Sequence, residues 1–203
     1  MNVVETFTGR NNLEFKIVEY DPSLLDDLKL FCAKCKEQDI ANNNSIKSLK
    51  LGKWGEHEKW WLVYHQDQIV SMSGVHHLPH LGEDTWYAMY RLATIKEYRN
   101  LAGPLGDAHK MQNCFGFAKM MPLQVDWCMS KGAKSIVITV NTLNNEKDNT
   151  GMMEKVHRVA NLFWPKDGKM TKIHSDIPLY GAKQDVFHLN VRDFVSMEKI
   201  DYV

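Results

Sequence analysis

Apolar and polar residues alternate with a period of two over residues 13–20. Phe15 and Ile17 stand there against Lys16 and Glu19. Successive side chains of a strand point to opposite faces, so this alternation is typical of a strand with one buried face. The first element that the pattern predicts is therefore a strand.

The next segment has helical spacing. Asp21-Pro22-Ser23 is a typical helix start, because the missing N–H of a proline is tolerated in the first turn. The apolar positions after it recur every three or four residues, at Leu24, Leu25, Leu28, Phe31, Cys32 and Cys35. This spacing predicts an amphipathic helix.

The same pattern predicts the remaining elements. Two apolar runs at 60–64 and 69–75 flank a short polar turn and indicate a hairpin. Further strands are predicted at 85–94 and 135–140, helices at 123–131 and 152–163, and a last hairpin at 173–179 and 185–191. Proline at 122 suits the start of the helix at 123, and Gly132 suits its end. The predicted fold class is α/β (mixed α+β), a mixed sheet with helices on both faces.

Composition favours an ordinary globular protein. The 203 residues are 44% hydrophobic and 25% charged, which suits a single domain over residues 1–203 with its own core. Lys+Arg and Asp+Glu number 25 each, and this zero net charge argues against a nucleic-acid partner.

The sequence also indicates a compartment. No apolar run is long enough for a membrane span, and the first residues show no signal-peptide pattern. Four cysteines do not form a secreted disulfide framework at this length. We therefore expect a cytoplasmic protein without a membrane partner.

Three segments together carry a resemblance to a known family. RLATIKEYRN (91–100) is a strand end with its turn, WCMSKGAKSIVITVNT (127–142) a helix end with a buried strand, and MMEKVHRVANLF (152–163) a helix. Their order resembles the GNAT-type superfamily of N-acetyltransferases. The resemblance implies a splayed sheet with acetyl-CoA between the strands at 85–94 and 135–140. Backbone groups of Leu92, Ala93 and Thr94 would then pair with the pantetheine arm.

Two placements of the family's pyrophosphate loop compete. The loop has Arg or Gln, two residues, Gly, one residue, then Gly or Ala. The segment 99–104 keeps the Arg but has Ala102 for the first Gly and ends in a proline. The segment 113–118 keeps Gly116 and Ala118 but has Asn for the Arg. Its spacing to Gly132 suits the family's helix, so it is preferred, and the predicted pyrophosphate residues are Asn113, Gly116, Phe117 and Ala118. Residues 101–112 then form an insertion.

Pro122 bears on this choice. A helix that begins at Ala118 would carry the proline in its first turns, where it is tolerated only near the start. A helix that begins at Pro122 would offer the free N–H groups of the following residues instead, away from the motif. Gly116 would then be a simple turn glycine.

Acyl transfer needs a base for the ammonium and an acid for the leaving thiolate. The family often uses a Glu on the strand and a Tyr on the last helix, and both are missing here. The substitutes are Tyr90 on the strand, His157 on the helix, and Asn141 at the end of the buried strand, where open sheets collect ligands. Each also has a structural explanation: a packed aromatic, a capping histidine or a turn asparagine.

Three patterns raise metal binding and do not support it. Cys32-x-x-Cys35 has no second pair of ligands, and both thiols suit a helix core. His76, His77 and His80 lack nearby acidic residues in a fixed frame. His57-Glu58 begins a zinc-protease motif whose second His is replaced by Trp61. No metal is expected.

The resemblance implies an acyl-CoA-dependent N-acyltransferase that moves an acetyl group from acetyl-CoA to an amine of a small molecule or peptide. The alternative is a catalytically silent domain of the same fold that acts in binding or assembly. A third option is a hydrolase that uses a metal at the three histidines. The oligomeric state stays open, with a homodimer as one option.

Overall fold

The structure is a computed structural model and describes residues 1–40, 57–103, 113–141, 171–179 and 182–194. The described strands are β1 (Asn2–Thr8), β2 (Glu14–Glu19), β3 (Glu58–His65), β4 (Gln68–His77), β5 (Thr85–Thr94), β6 (Ser135–Asn141), β7 (Thr171–Leu179) and β8 (Ala182–Asn190). Among the described residues, the two α-helices are α1 (Leu25–Glu37) and α2 (Met121–Ser130), and a π-helical segment, Gly116–Met120, leads into α2.

Most predicted elements are confirmed. The predicted strands correspond to β2–β8, and the predicted first helix to α1 with a short 3-10 turn before it. The side chain of Asp21 accepts a hydrogen bond from the backbone N–H of Ser23 at that turn, as a helix-start residue does. Strand β1 was not predicted. The predicted helix at 152–163 lies outside the described residues.

The chain divides into two compact units. The first unit contains Met1–His76 and Met89–Gln124, and the second contains His77–Ala88 and Val125–Val203. In the first unit, β1, β2, β3 and β4 pair in sequence order, each antiparallel to the next. The backbone N–H of Ile95, just after β5, donates to the carbonyl of Val70 on β4.

Helical segments cover both faces of the sheet in the first unit. Helix α1 packs its buried residues Leu28, Phe31 and Cys35 into a core with alternate side chains of β2 and β3, among them Val18 and Leu62. On the other face, Phe115 makes an edge contact with Phe15, with ring centroids 5.0 Å apart. Lys119 forms a 2.8 Å ion pair with Glu5 of β1. Alternate side chains of β2 therefore point into two apolar layers, one on each face of the sheet.

In the second unit, Thr85, Trp86 and Tyr87 of β5 pair in parallel with Ser135, Ile136 and Val137 of β6. Strand β6 pairs antiparallel with β8, and β8 antiparallel with β7. Trp127 of α2 contacts Trp86 edge-on, with centroids 5.1 Å apart. The mixed α and β fold class is thus confirmed, whereas the extent of a single domain over 1–203 stays a prediction.

Candidate functional site

The backbone of β5 has an unusual conformation shortly before its end. Arg91 has a φ of 57°, in the left-handed region that a side chain other than glycine seldom adopts within a strand. Such outliers cluster at active sites and ligand clamps, where the surrounding structure holds them in place. Arg91 comes immediately before Leu92, Ala93 and Thr94, the predicted pantetheine residues.

Contacts to β4 show which way the end of β5 directs its peptide groups. The hydroxyl of Ser71 donates to the carbonyl of Ala93 at 3.0 Å, and the N–H of Ile95 donates to Val70. Peptide groups of successive strand residues point to opposite edges, so those of Leu92 and Thr94 are directed away from β4. The Thr94 hydroxyl is 2.8 Å from that of Ser71, and this hydrogen bond fixes the orientation of the Thr94 side chain.

The two segments that compete for the pyrophosphate meet in the structure. The N–H of Ala102 donates to the carbonyl of Asn113 at 2.9 Å. A Cβ on Gly103 would lie only 2.9 Å from the side-chain oxygen of Asn113, so glycine permits this approach. The segments 99–104 and 113–118, treated as alternatives in the sequence analysis, are therefore neighbours in the fold. Arg99, in the first segment, is exposed.

The head of the helix is formed by Cys114 and the residues after it. Burial raises the pKa of the Cys114 thiol, and the backbone N–H groups of Gly116 and Phe117 oppose that rise because they are directed at the sulfur. The N–H of Ala118 donates to the carbonyl of Cys114 at 2.8 Å. Asn113, Gly116 and Phe117 are buried, and Ala118 is half-buried. Their role toward a pyrophosphate stays a prediction.

The helix begins before Pro122, and not at it. Residues Gly116–Met120 form a π-helical segment that continues directly into α2. Proline lacks the N–H that an α-helix needs and crowds the carbonyl four residues earlier, and a single π-helical turn is a common local irregularity inside a helix. The prediction that the helix starts at residues 122–123 is therefore wrong, while Gly132, with a φ of 80°, ends it as predicted.

A carboxylate that sequence reasoning passed over lies on the α1 face of the first unit. Glu58, half-buried at the start of β3, accepts a 2.7 Å hydrogen bond from the indole N–H of Trp60. The guanidinium of Arg91 lies over the Trp60 ring, 5.8 Å from its centroid. Gly74 leaves room for this ring, because a Cβ there would be 2.4 Å from Trp60 Cδ1.

Burial raises the pKa of Glu58, and the hydrogen bond from Trp60 and the positive charge of Arg91 only partly oppose that rise. A carboxylate with a raised pKa is a better proton acceptor than an exposed one. Burial also raises the pKa of the Cys32 thiol to about 11, with Arg91 opposing, so this thiol stays protonated at neutral pH. The carboxylate of Glu58, the Trp60 ring and the Arg91 guanidinium therefore lie close together.

The remaining predicted catalytic residues are distributed along the chain. Tyr90 precedes Arg91 in β5, but its side chain lies outside the described part of the structure. Asn141 is the last residue of β6 and pairs with Gln184 of β8, so it belongs to a strand end. His157 lies outside the described residues, and the roles of all three stay predictions.

Three general features complete the description. Among the His, Cys, Asp and Glu side chains that the structure describes, no group of three lies close enough to share a metal ion. No helix of the described segments combines the length and apolar character that crossing a membrane requires. All four cysteines are free.

Comparison with solved structures gives a consistent result. The GNAT domain of PAT from S. lividans aligns with a TM-score of 0.54 and 9% identity, over 92% of this chain and 96% of that one. An acetyltransferase from Streptococcus agalactiae 2603 gives 0.53 and 12%, over 87% and 98%. A GNAT-family acetyltransferase from Staphylococcus aureus Mu50 gives 0.51 and 15%, over 87% and 99%. No protein-family model and no curated protein matches the sequence.

Proposed function

We propose that this chain, whose fold is that of the GNAT acetyltransferases, is an acyl-CoA-dependent N-acyltransferase. It moves an acetyl group from acetyl-CoA to an amine of a small molecule or peptide, in the reducing cytoplasm that four free cysteines suit. The observation that carries the proposal is the left-handed backbone at Arg91, because such outliers cluster at ligand sites and this one directly precedes the part of β5 where the fold would receive the thioester.

The donor binds along the end of β5. Thr94 and Leu92, whose peptide groups are directed away from β4, pair with the amides of the pantetheine arm as an added strand would. The segments 99–103 and 113–117, joined through Ala102 and Asn113, hold the pyrophosphate, and the exposed Arg99 supplies a positive charge beside it. Both placements of the loop therefore contribute to one site.

Glu58 is the proposed base. Its carboxylate takes a proton from the acceptor ammonium, directly or through one water molecule. The neutral amine then attacks the thioester carbonyl carbon, a C–N bond forms, and the C–S bond breaks. The attacking nitrogen then loses a proton, and the CoA thiolate takes this proton as it leaves. Tyr90 and Asn141 stay candidates for the transfer of that proton and for positioning the acceptor.

Calorimetric titration of the purified chain with acetyl-CoA tests the donor half. We expect a dissociation constant between about 1 µM and 1 mM, the range usual for enzyme substrates. Hydrogen exchange with and without acetyl-CoA should show protection in peptides from 89–103 and 113–120, and little change in peptides from 171–179. No heat and no thermal shift at millimolar acetyl-CoA would contradict the proposal, and protection confined to other peptides would contradict the placement.

Thiol release in the presence of a panel of amines tests the acceptor half. We expect at least one amine class to raise the rate above that of acetyl-CoA hydrolysis alone. Binding of acetyl-CoA without acceleration by any amine would favour the alternative, a catalytically silent domain of this fold.

A further inference from the structure

A cavity of about 390 Å³ lies entirely in the second unit. It stands at the first residues of β5 and β6 and at the last residues of β8. The described lining that matters for its chemistry is Asp84, Thr85, Lys134, Ser135, His188 and Arg192. It involves none of the residues assigned above to acyl transfer, so the inference drawn from it stands apart from the proposed function.

Strand register brings the polar lining together. Thr85 of β5 pairs with Ser135 of β6, and Ser135 pairs with Asn190 of β8. Paired residues of neighbouring strands point to the same face, so these three side chains form a row across three strands. The position of His188, two residues before Asn190, is on that face as well.

The hydroxyls of Thr85 and Ser135 are buried and 3.0 Å apart. Each hydroxyl carries one proton, so when Thr85 donates to Ser135 the Ser135 proton is directed to a further acceptor. The contact of Thr85 with the carbonyl of Leu81 is long, at 3.3 Å, and competes weakly for its proton. The row thus offers one donor to a bound molecule.

The charged lining is predominantly positive. Lys134 forms a 2.8 Å ion pair with Asp84, and the N–H of Arg192 donates to the side-chain oxygen of Asn190. That contact fixes the backbone that carries the Arg192 guanidinium, in the turn directly after β8. Two permanent cations and one carboxylate therefore line the cavity. Burial lowers the pKa of His188, so this imidazole is mainly neutral at pH 7 and leaves that balance unchanged.

We propose that this cavity binds a small organic phosphate, a phosphate monoester, through its dianionic group. The Arg192 guanidinium engages two phosphate oxygens with two parallel N–H donors, and Lys134 and the Ser135 hydroxyl contact the others. Leu81, half-buried at the rim, contacts the carbon portion. The cavity is too large for a bare phosphate and matches the lower end of small-molecule sites, about 300 Å³ and above.

Calorimetric titration of the full chain with glycerol 3-phosphate, with glycerol as the uncharged control, tests the proposal. We expect binding of the phosphate ester alone. Arg192→Gln weakens it about tenfold, since a charge-assisted hydrogen bond is lost. Lys183→Gln is the matched control, because Lys183 is an exposed cation of the same strand β8 outside the cavity, and it leaves the affinity unchanged.

Asp84→Asn supplies a result that misfolding cannot imitate. Removal of the carboxylate relieves repulsion of the phosphate and releases Lys134, so binding tightens about fivefold. No binding at tens of millimolar glycerol 3-phosphate would overturn the proposal. Equal losses in Arg192→Gln and Lys183→Gln, or weaker binding in Asp84→Asn with an unchanged melting temperature, would overturn it as well.

Discussion

At the scale of single residues, Glu58 has the surroundings that matter most for the proposed acyl transfer. Its half-buried carboxylate accepts the indole N–H of Trp60 and lies near the charge of Arg91. In the linear sequence Glu58 belongs only to a failed zinc motif, and nothing there places it beside a residue of β5. The proximity arises because β3 pairs with β4 and β4 lies beside β5 in the sheet.

We expect Glu58→Gln to lower kcat/KM about 10²-fold or more with little change in acetyl-CoA affinity, because a general base contributes about that much. The rate of the unchanged protein should rise with pH through a value above the ordinary 4.5 of a glutamate, since burial raises the pKa of Glu58. This rise of the rate with pH should be absent from the Glu58→Gln variant.

Glu37→Gln is the matched control, because Glu37 is exposed at the end of α1. It should leave both the rate and the pH profile unchanged. If Glu58→Gln kept the full rate and the same rise of the rate with pH, another group would be the base.

At the scale of elements, the turn between β1 and β2 contacts the segment 99–103, which is proposed to bind the pyrophosphate. The N–H of Arg10 donates to the carbonyl of Leu101 at 3.0 Å. Gly9 permits this approach, because a Cβ there would lie 2.1 Å from the same carbonyl oxygen and 2.7 Å from the Phe15 ring. Strand β1, which the hydrophobic pattern did not predict, is therefore joined to the candidate site.

We expect Gly9→Ala to lower the free energy of unfolding by about 1–3 kcal/mol, the usual cost of overpacking. Acetyl-CoA affinity should fall too, because Leu101 must move and carries the neighbouring segment with it. Urea unfolding and calorimetry on the same preparation measure both effects.

Gly132→Ala is the comparison variant. Gly132 has a φ of 80°, and a Cβ added there would meet no neighbouring atom within 4 Å, so the change strains the backbone alone, by about 1 kcal/mol. Acetyl-CoA affinity should stay unchanged. Equal affinity losses in the two variants would show that Gly9 acts through general stability.

At the scale of the whole molecule, buried thiols link stability to alkaline pH. Burial raises the pKa of Cys35 to about 12, and the neighbouring Cys32 adds to that rise while Arg99 opposes it. Burial alone raises the pKa of Cys128 to about 12. The ordinary value is 9.0. The folded state therefore keeps protons that the unfolded chain loses above pH 9, so the stabilisation is full below pH 9 and declines toward pH 12.

We expect the free energy of unfolding to fall by about 1 kcal/mol per thiol between pH 8 and pH 10. Urea unfolding at the two pH values measures the fall. A variant with Cys35→Ala and Cys128→Ala should be less stable at pH 8, because it has cavities, but should show a smaller fall. An equal fall in both proteins would mean that other groups, such as Tyr64 with its pKa raised by burial, are responsible.

Much of the fold could be predicted from the sequence because its elements repeat their apolar positions regularly. Strands β2–β8 and helix α1 correspond to predicted segments. The exceptions have physical causes. The side chains of strand β1 are largely exposed, so its sequence shows no apolar face. The helix start near Phe115 was missed because Pro122 indicated a later start.

The features that follow from the chain alone are local. They are the periods of two and 3.6, the stop at Gly132 and the capping contact of Asp21, because each depends on residues close in the chain. The remaining features needed the folded arrangement: the left-handed backbone at Arg91, the contact of Ala102 with Asn113, the approach of Arg91 to Trp60 and the polar row from Thr85 to Asn190. Backbone hydrogen bonds bring residues that are far apart in sequence together. These bonds do not depend on which side chains are present, so no sequence motif predicts the resulting neighbours.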